Sequence, residues 1–236
     1  MSQNDVIKLP RLYVDNDLRE GAIIGLKKDH AHYLLHVLRV RAGDDLRLFN
    51  GRDGEWRATV DSANKKGVSA RIDSRIKEQP PVPREVHLFF APIKKARMDW
   101  LIEKAVELGA THLHPVLTHN TEVRAINEER VRAQIIEATE QCERMNLPEL
   151  FSLQPVLNIL STRPLLACLE RAEAKSLKES IPEKESVAFL IGPEGGFTED
   201  EKKKLCGMEN VTAVSLGPRV LRSETAAIVA LCAVNP

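Results

Sequence analysis

Two glycine–proline turns in the last third of the chain limit its fold more than any other feature. The first follows the apolar run Val187–Ile191 and occupies residues 192–196, and the second follows the apolar run 213–216 at Gly217 and Pro218. Short runs of this kind are typical of buried strands, which a glycine–proline pair cannot continue. Because glycine has no side chain, two neighbouring turns bring main-chain groups close to a ligand. They predict a pocket built largely from backbone.

The segments before and between these turns alternate between strand and helix patterns. Predicted strands are residues 86–91, 112–117, 165–169, 187–191 and 213–216, and predicted helices are residues 98–108, 128–144, a segment after Gly196 and residues 225–233. In the helix 98–108, apolar side chains recur at three- and four-residue spacing, and Gly109 ends the pattern. Strands and helices that alternate at these lengths are typical of a parallel sheet with covered faces. This part of the chain therefore predicts an α/β domain.

The first 76 residues show a different pattern, in which short apolar alternations are separated by turns. Predicted strands are residues 12–14, 22–26, 45–51, 55–60 and 67–72, and one helix is predicted over residues 29–37 with Asp29 as its N-cap. Strands of this length and spacing predict a small β-barrel. Residues 77–84 carry three prolines in four positions and predict a stiff linker. We expect a barrel domain over residues 1–76, the linker 77–84, and an α/β domain over residues 85–236.

Composition excludes several classes of protein. The 236 residues are 43% hydrophobic and 29% charged, as in ordinary globular domains. No apolar run is long enough to span a bilayer, and no signal-peptide pattern or CxxC motif occurs, which favours a reduced, cytoplasmic protein without a metal site. Residues 1–84 carry 16 Lys and Arg against 12 Asp and Glu, a net charge of +4, and residues 85–236 carry 18 against 22, a net charge of −4. Contacts with nucleic acid are therefore expected from the N-terminal part.

The glycine spacing of the turns excludes common phosphate-binding and hydrolase motifs. Residues 192–196 do not match G-x-G-x-x-G, no Gly-Lys-Ser/Thr follows them, and the chain has no G-x-S-x-G elbow. A phosphate could still bind at the helix N-terminus after Gly196, although the carboxylates of Glu194 and residues 199–201 would repel it. These carboxylates suit a cationic ligand better, such as the sulfonium centre of S-adenosylmethionine. They also fit a helix N-terminus that binds no ligand.

Several arginines are candidates for contacts with nucleic acid or substrate. Arg11, Arg39 and Arg41 in the basic N-terminal part could meet phosphates, or they could belong to the solvated face of half-buried strands. Arg222 stands just before the buried final helix. It either acts on a substrate or forms an ion pair, with Glu224 or the chain terminus, that holds the turn.

Six stretches of sequence together point to a known family. They are PRLYV at residues 10–14, HVLR at 36–39 with RAGD at 41–44, EKAVELG at 103–109, EATEQ at 137–141, IGPEGG at 191–196 and LGPRVLRSETA at 216–226. The last two are highly specific in combination. On these motifs the chain resembles, throughout its length, the bacterial 16S ribosomal RNA uracil-N3-methyltransferases of the SPOUT superfamily.

This resemblance implies a PUA-like β-barrel, a SPOUT-type α/β domain with a C-terminal trefoil knot, a homodimer, and S-adenosylmethionine bound between the knot loops. The implied cofactor contacts are Leu190, Gly192, Gly195, Gly196, Leu216, Gly217, Leu221 and Thr225. Arg222 is expected to stabilise the anion of the target uracil, with Glu224 orienting it or accepting the proton through water. Arg11, Arg39 and Arg41 are expected to grip the 16S ribosomal RNA, within the small subunit. The chemistry requires no metal.

Other functions stay open on the sequence. A SPOUT relative could methylate a ribose 2′-OH or a tRNA base instead. The protein could also be a non-catalytic RNA-binding or ribosome-assembly module, which would bind no S-adenosylmethionine. A nucleotide hydrolase is disfavoured, because the phosphate-loop lysine is missing.

Overall fold

A computed structural model describes residues 7–81, 84–159, 163–169, 174–183 and 186–234 of the chain. It consists of two compact units. The first comprises Met1–Val82 with Thr139–Asn146, and the second comprises Pro83–Ala138 with Leu147–Pro236. The sequence pattern gave no sign that the short segment 139–146 would join the first unit. Residues 82 and 83, in the predicted linker, lie outside the described residues.

The first unit is a five-stranded sheet around one apolar core. Its elements are β1 (Arg11–Tyr13), β2 (Ile23–Gly25), helix α1 (Lys28–His32) with a π-helical continuation (Tyr33–Leu38), β3 (Asp45–Phe49), β4 (Glu55–Asn64) and β5 (Gly67–Lys77). The strand order is β1-β3-β4-β5-β2, with β1 parallel to β3 and the other pairs antiparallel. Fully buried residues such as Leu46, Ala58 and Ile72 fill the inside of the sheet. Within the described residues, β1 and β2 do not pair, so hydrogen bonding leaves the barrel open there.

The helix of the first unit differs from the prediction over residues 29–37. Helix α1 begins at Lys28, and Lys27 occupies the N-cap position without a side-chain capping bond, so Asp29 lies inside the first turn and is not the N-cap. After five residues the backbone widens into the π-helical stretch. That stretch ends at Arg39, whose φ of 58° is left-handed. The N-cap prediction is therefore wrong.

A buried guanidinium holds the segment 139–146 within the first unit. Arg11 Nε donates to Glu55 Oε1 at 3.1 Å, and its Nη1 donates to the carbonyl oxygens of Thr139 at 3.0 Å and Glu140 at 3.3 Å. Its Nη2 donates to the carbonyl oxygen of Arg144 at 2.7 Å. All three nitrogens of this side chain are therefore bound, and burial lowers the pKa of Arg11. Such a network is costly to disrupt, because a buried charge and buried acceptors would lose their partners.

Two further contacts support the same segment. Arg47 Nη1 donates to Glu55 Oε1 at 3.3 Å and to Glu143 Oε1 at 3.0 Å. The backbone N–H of Tyr13 donates to Glu140 Oε1 at 2.8 Å. Glu143 has a φ of 59°, a left-handed conformation that is uncommon for a residue with a side chain. The segment is thus tied to β1 and β3 by charge-assisted hydrogen bonds, which are stronger than neutral ones.

The second unit is an α/β layer built on a parallel sheet. Its strands are β6 (Val86–Phe90), β7 (His112–Leu117), β8 (Glu149–Leu150), β9 (Gln154–Pro155), β10 (Leu165–Cys168), β11 (Lys175–Ser176), β12 (Val187–Ile191) and β13 (Val211–Ser215). Its helices are α2 (Lys95–Glu107), α3 (Glu128–Gln141, whose last turn belongs to the first unit), the short α4 (Leu177–Ser180), α5 (Glu199–Cys206) and α6 (Ser223–Cys232). The sheet order is β11-β13-β10-β12-β6-β7-β8, with β9 beside β7, and every pair is parallel. The predicted parallel α/β sheet is confirmed, including a strand within residues 165–169.

The sheet order corrects one detail of the prediction. The two glycine–proline turns follow β12 and β13, and these strands are not neighbours, because β10 pairs with both of them. The end of β10 therefore lies between the two turns. The trefoil knot that the resemblance implies stays a prediction. Among the described residues, no helix combines the length and the apolar character needed to cross a membrane.

Three histidines stack in the second unit with aromatic partners. The ring centroids of His87 and His112 lie 4.0 Å apart, and those of His114 and Phe89 lie 4.2 Å apart. His87 Nδ1 and His114 Nε2 are 2.9 Å apart and share a hydrogen bond. Burial lowers the pKa of His87 to about 4 and that of His114 to about 3. The stack is therefore packed as neutral imidazoles.

The buried histidines predict a loss of stability in mild acid. Their pKa values in the folded protein lie below the unfolded value near 6.5, so the unfolded chain binds more protons as the pH falls through 6.5 towards 4. Between pH 7 and pH 5 we expect a loss of about 3 kcal/mol in the free energy of unfolding. Urea unfolding at the two pH values measures it. His114→Phe should remove about half of the difference, and the exposed control His36→Gln should not change it. An undiminished pH dependence in His114→Phe would contradict this assignment.

Candidate functional site

The second unit contains a cavity of about 680 Å³ at the carboxyl ends of β10, β12 and β13. This is where open parallel sheets bind ligands, and the volume is in the range of small-molecule sites. Its lining is Cys168, Leu169, Ile191, Gly192, Pro193, Glu194, Gly195, Gly196, Phe197, Lys202, Ser215, Leu216, Gly217, Pro218, Arg219, Val220, Leu221, Ser223 and Ala226. Three strand ends therefore build the pocket, and both glycine–proline turns contribute backbone to it.

The first turn is packed so closely that a side chain would clash at Gly192 and would be tightly confined at Gly195. A Cβ at Gly192 would lie 2.8 Å from the ring of the buried Phe197. A Cβ at Gly195 would lie 3.1 Å from the Cβ atom of Asn120. Asn120 Nδ2 donates to the carbonyl oxygens of Gly195 at 2.9 Å and Gly196 at 3.1 Å. The turn is thereby fixed, with backbone facing the cavity. Sequence reasoning missed Asn120, although polar residues directly after a predicted strand were a usable signal.

The acidic residues after the first turn are placed differently from the expectation of an acidic mouth. Glu201 is buried, forms a capping box with Thr198 and accepts the backbone N–H of His119 at 2.7 Å. Glu199 is exposed and accepts from Lys202 Nζ at 2.8 Å. Among these acids only Glu194 lines the cavity, and Lys202 lines it as well. The carboxylates of residues 199–201 therefore serve the helix start, and the cavity is not predominantly acidic.

A serine connects the second turn to the first. Ser223 is buried at the start of α6, and its Oγ donates to the carbonyl oxygen of Gly192 at 2.7 Å. Gly217 has a φ of 117°, which residues with side chains rarely adopt, and its N–H donates to Ser215 Oγ at 3.2 Å. The hydrogen bond of Ser223 thus joins the start of α6 to the first turn, although strands β12 and β13 do not pair. Ser223 belongs to the site, in a role that sequence reasoning did not assign.

The structure brings most of the predicted cofactor residues together. Those that line the cavity are Gly192, Gly195, Gly196, Leu216, Gly217 and Leu221. Leu190 is fully buried within β12, and Thr225 is half-buried in α6; neither lines the cavity. The lining contributed by Cys168 and Leu169 was not predicted, because only the sheet order shows that β10 ends between the turns.

The two predicted catalytic residues lie close in sequence but do not contact each other. Arg222 is exposed at the N-cap position of α6, between the lining residues Leu221 and Ser223. Its carbonyl oxygen accepts the N–H of Ala226 at 2.8 Å, and none of the described residues forms a hydrogen bond or ion pair with its guanidinium. Glu224 is buried, and its Oε1 lies 3.8 Å from Arg97 Nε. Its Oε2 has no hydrogen-bond partner among the described residues. The expectation that Glu224 orients Arg222 is therefore not met, whereas proton acceptance by Glu224 stays a prediction.

The predicted RNA contacts divide into two groups within the first unit. Arg39 and Arg41 are exposed after the π-helical stretch. Arg11 is 7% exposed, and its guanidinium is bound to Glu55 and to three backbone carbonyls. That environment gives Arg11 a structural role, because four of its five N–H donors are bound within the first unit. Its contact with RNA stays a prediction, and this buried and bonded environment does not favour it. Within the described ranges, no group of three or more His, Cys, Asp or Glu is arranged to hold a metal ion.

Comparison with known proteins assigns the chain to a family. Residues 80–235 match the RNA methyltransferase domain, and residues 26–73 match the RNA methyltransferase PUA domain. The ribosomal RNA small subunit methyltransferase E of Rickettsia conorii is 36% identical over 97% of this chain and 96% of its own length. That of Synechocystis is 31% identical over 99% of this chain and 80% of its own length.

Two solved structures are also similar over nearly the whole chain. A Legionella pneumophila methyltransferase in complex with the bound cofactor SAM has a TM-score of 0.85 and 33% identity, over 96% of this chain and 97% of that chain. The ribosomal RNA small subunit methyltransferase E of Neisseria gonorrhoeae, bound to S-adenosyl methionine, has a TM-score of 0.84 and 30% identity, over 95% of this chain and 96% of that chain. The sequence motifs, the α/β fold and these matches agree, and the chain belongs to the ribosomal RNA small subunit methyltransferase E family.

Proposed function

We propose that the protein transfers a methyl group from S-adenosylmethionine to N3 of a specific uridine in 16S ribosomal RNA. The observation that supports this most is the backbone-lined cavity between the two glycine–proline turns. It lies in a chain whose relatives include structures with the bound cofactor. The proposed substrate is the small-subunit RNA, as in the names of the curated relatives.

The residues of the cavity fit S-adenosylmethionine. Backbone groups of Gly192, Gly195 and Gly196 are exposed to the cavity on one side, and Leu216 and Gly217 on the other. Main-chain N–H and C=O groups that line a cavity can form hydrogen bonds with an adenine and a ribose. The bound cofactor supplies a sulfonium methyl group as the electrophile. The role of the chain is to hold it, to exclude water and to present the uracil in line with the methyl.

The target nitrogen sets the chemical demand on the remaining residues. Uracil N3 carries a proton and is a weak nucleophile until that proton leaves, after which negative charge spreads to O2 and O4. A guanidinium stabilises such a planar anion well. We assign this role to Arg222, because it stands beside lining residues and its guanidinium has no partner among the described residues. Glu224 is the proposed acceptor of the N3 proton, through water, because its buried Oε2 has no hydrogen-bond partner in the part of the chain that the structure describes.

The RNA must approach with its target base unpaired, since N3 lies on the pairing edge and enzymes that act on such atoms take the base out of the stack. The exposed Arg39 and Arg41 are proposed to contact phosphates of the flanking RNA. The barrel over residues 1–76 would then be the RNA-binding domain, residues 77–84 a linker, and residues 85–236 the methyltransferase domain. The match of residues 26–73 to a PUA domain supports this division.

A homodimer in the cytoplasm is proposed as the working form. Trp100 on α2 is 42% exposed and Val229 on α6 is 37% exposed, and the two helices pack against each other within the second unit. An aromatic and an aliphatic side chain on the surface of two packed helices suit an interface with a second copy. No metal is required in this scheme.

Methyl transfer to small ribosomal subunits tests the proposal directly. Subunits are isolated from a strain that lacks the protein, incubated with the purified protein and labelled S-adenosylmethionine, and digested for mass spectrometry. We expect one methyl group per subunit, on N3 of a uridine. A label on a ribose 2′-OH, or a label found only when tRNA replaces the subunit, would reassign the substrate. Absence of S-adenosylmethionine binding by calorimetry would instead favour a non-catalytic RNA-binding factor.

A further inference from the structure

One cation in the second unit contacts two carboxylates, one in the first glycine–proline turn and one at the start of α6. Arg97 lies in the first turn of α2, and its neighbour Met98 anchors that turn in the core. Arg97 Nη1 donates to Glu194 Oε1 at 3.3 Å, and Arg97 Nε lies 3.8 Å from Glu224 Oε1. Glu194 lines the cavity in the first turn, whereas Glu224 stands in the first turn of α6, directly after the second.

The two carboxylates differ in solvent exposure, and the guanidinium of Arg97 contacts both of them through different nitrogens. The side chain of Glu194 is 36% exposed, whereas that of Glu224 is 9% exposed, and no described residue forms a hydrogen bond with Oε2 of Glu224. A guanidinium presents several donors in a rigid plane, so that one group can reach two acceptors. A buried carboxylate usually has a cationic partner close by. Arg97 is the nearby cation, since it forms the ion pair that the structure shows for Glu224.

Arg97 itself is held by rigid elements. Helix α2 follows β6, and the N–H of Ala91, at the end of that strand, donates to the carbonyl oxygen of Ile191 at 3.1 Å. Ile191 is the last residue of β12, directly before the first turn. Helices α2 and α6 pack together. Arg97 is thereby fixed relative to both turns, as a residue that places other groups must be.

We propose that Arg97 is a positioning residue for the methyl-transfer site. By binding Glu194 and Glu224 together, it sets the distance between the first turn and the start of α6, and it orients the carboxylate of Glu224. This inference rests on the proposed function and extends it to a residue outside the cavity lining. Arg97 does not act on substrate or cofactor atoms itself; it acts through the two carboxylates.

The test compares Arg97→Gln, Arg97→Lys and the wild-type protein. The dissociation constant for S-adenosylmethionine is measured by calorimetry, and kcat and KM are measured with small ribosomal subunits. We expect Arg97→Gln to weaken cofactor binding and raise KM for the cofactor by about tenfold, because small misplacements of binding groups are costly. Arg97→Lys keeps the charge but has one donor group, so it should lie between Arg97→Gln and the wild type. The melting temperature should change little, since the ion pairs of Arg97 are partly exposed.

A matched control and a coupled variant distinguish positioning from general damage. Lys104→Gln removes an ion-paired cation near the other end of α2, where it contacts Glu103 and Glu107, and should leave binding unchanged. Glu194→Gln removes the ion pair between Arg97 and Glu194 without changing α2. It therefore tests the same contact if Arg97→Gln folds poorly. In the double variant Arg97→Gln with Glu194→Gln, the loss in binding free energy for S-adenosylmethionine should be smaller than the sum of the two single losses.

Measurements on the wild-type protein distinguish a wrong proposed function from a wrong positioning role for Arg97. If the wild-type protein neither binds S-adenosylmethionine nor transfers a methyl group, the proposed function is wrong. If the wild-type protein is active, and both a folded Arg97→Gln variant and Glu194→Gln bind the cofactor within twofold of wild type, the positioning role alone is wrong. Strictly additive effects of Arg97→Gln and Glu194→Gln would also overturn it.

Discussion

The Arg222→Ala variant is expected to lose methyl transfer by a factor of about 10² to 10³ in kcat, while it keeps its fold and its affinity for S-adenosylmethionine. Arg222 is exposed beside the cavity, and none of the described residues binds its guanidinium, so its removal breaks no contact of the folded chain. The proposed partner is negative charge that develops on the uracil. A group that acts on such charge lowers kcat when it is removed and leaves the binding of a separate cofactor intact.

Single-turnover methylation of small ribosomal subunits measures this effect, with calorimetry for the cofactor. Arg222→Lys should recover part of the activity, because it keeps the charge and loses the planar fork. Arg132→Ala removes a surface arginine that is paired with Glu128 on α3 and serves as the control, with activity expected to match the wild type. Near-normal kcat in Arg222→Ala at saturating cofactor would exclude the role in stabilising the anion.

The Arg11→Met variant is expected to lose about 3 kcal/mol in the free energy of unfolding of the first unit. The side chains of Arg11 and Glu55 are 3% and 4% exposed, so removal of the guanidinium takes a partner from a buried carboxylate and from three backbone carbonyls. Arg47 still contacts Glu55, which places the expected loss at the lower end of the usual range. The attachment of residues 139–146 should loosen as well.

Urea unfolding measures the loss in stability, and hydrogen exchange of the peptide that covers residues 139–146 measures its attachment. Arg52→Met breaks an exposed ion pair with Asp17 and should cost less than about 1 kcal/mol. The double variant Arg11→Met with Glu55→Met should be more stable than Arg11→Met alone, because no buried charge is left unpaired. A stability equal to that of the wild type in Arg11→Met would show that the network contributes nothing.

Structural features that depend on repeating patterns in the sequence were predictable in this protein. Alternation of apolar segments with helical stripes indicated the parallel sheet of the second unit, and each strand candidate there has a counterpart. Helix α2 buries Met98, Leu101, Ile102 and Ala105 as its spacing predicted, and Gly109 adopts a φ of 85° after it. These outcomes follow from local rules, because the period of apolar residues and the φ freedom of glycine belong to the chain itself.

Features that depend on distant partners were not predictable in the same way. Arg11 looked like a surface cation, yet its partners lie 44 to 133 residues away in sequence, and no local pattern announces a pairing at that distance. The predicted N-cap of α1, Asp29, lies two residues after the actual N-cap, Lys27. The apolar periodicity of the sequence does not specify at which residue the helical backbone begins. The same reason explains why Asn120 and Arg97 escaped notice as partners of the first turn.

Local patterns were enough to predict the α/β layer of the second unit and a pocket lined by backbone at the two glycine–proline turns. The motifs also indicated the family, and the comparisons confirmed it. The three-dimensional structure was needed to show that β10 ends between those turns, that residues 199–201 serve the helix start rather than the cavity, and that Arg97 joins Glu194 to Glu224. The physical reason is that backbone conformation follows from local residue type, whereas the neighbours of a charged side chain follow from the order in which strands pair.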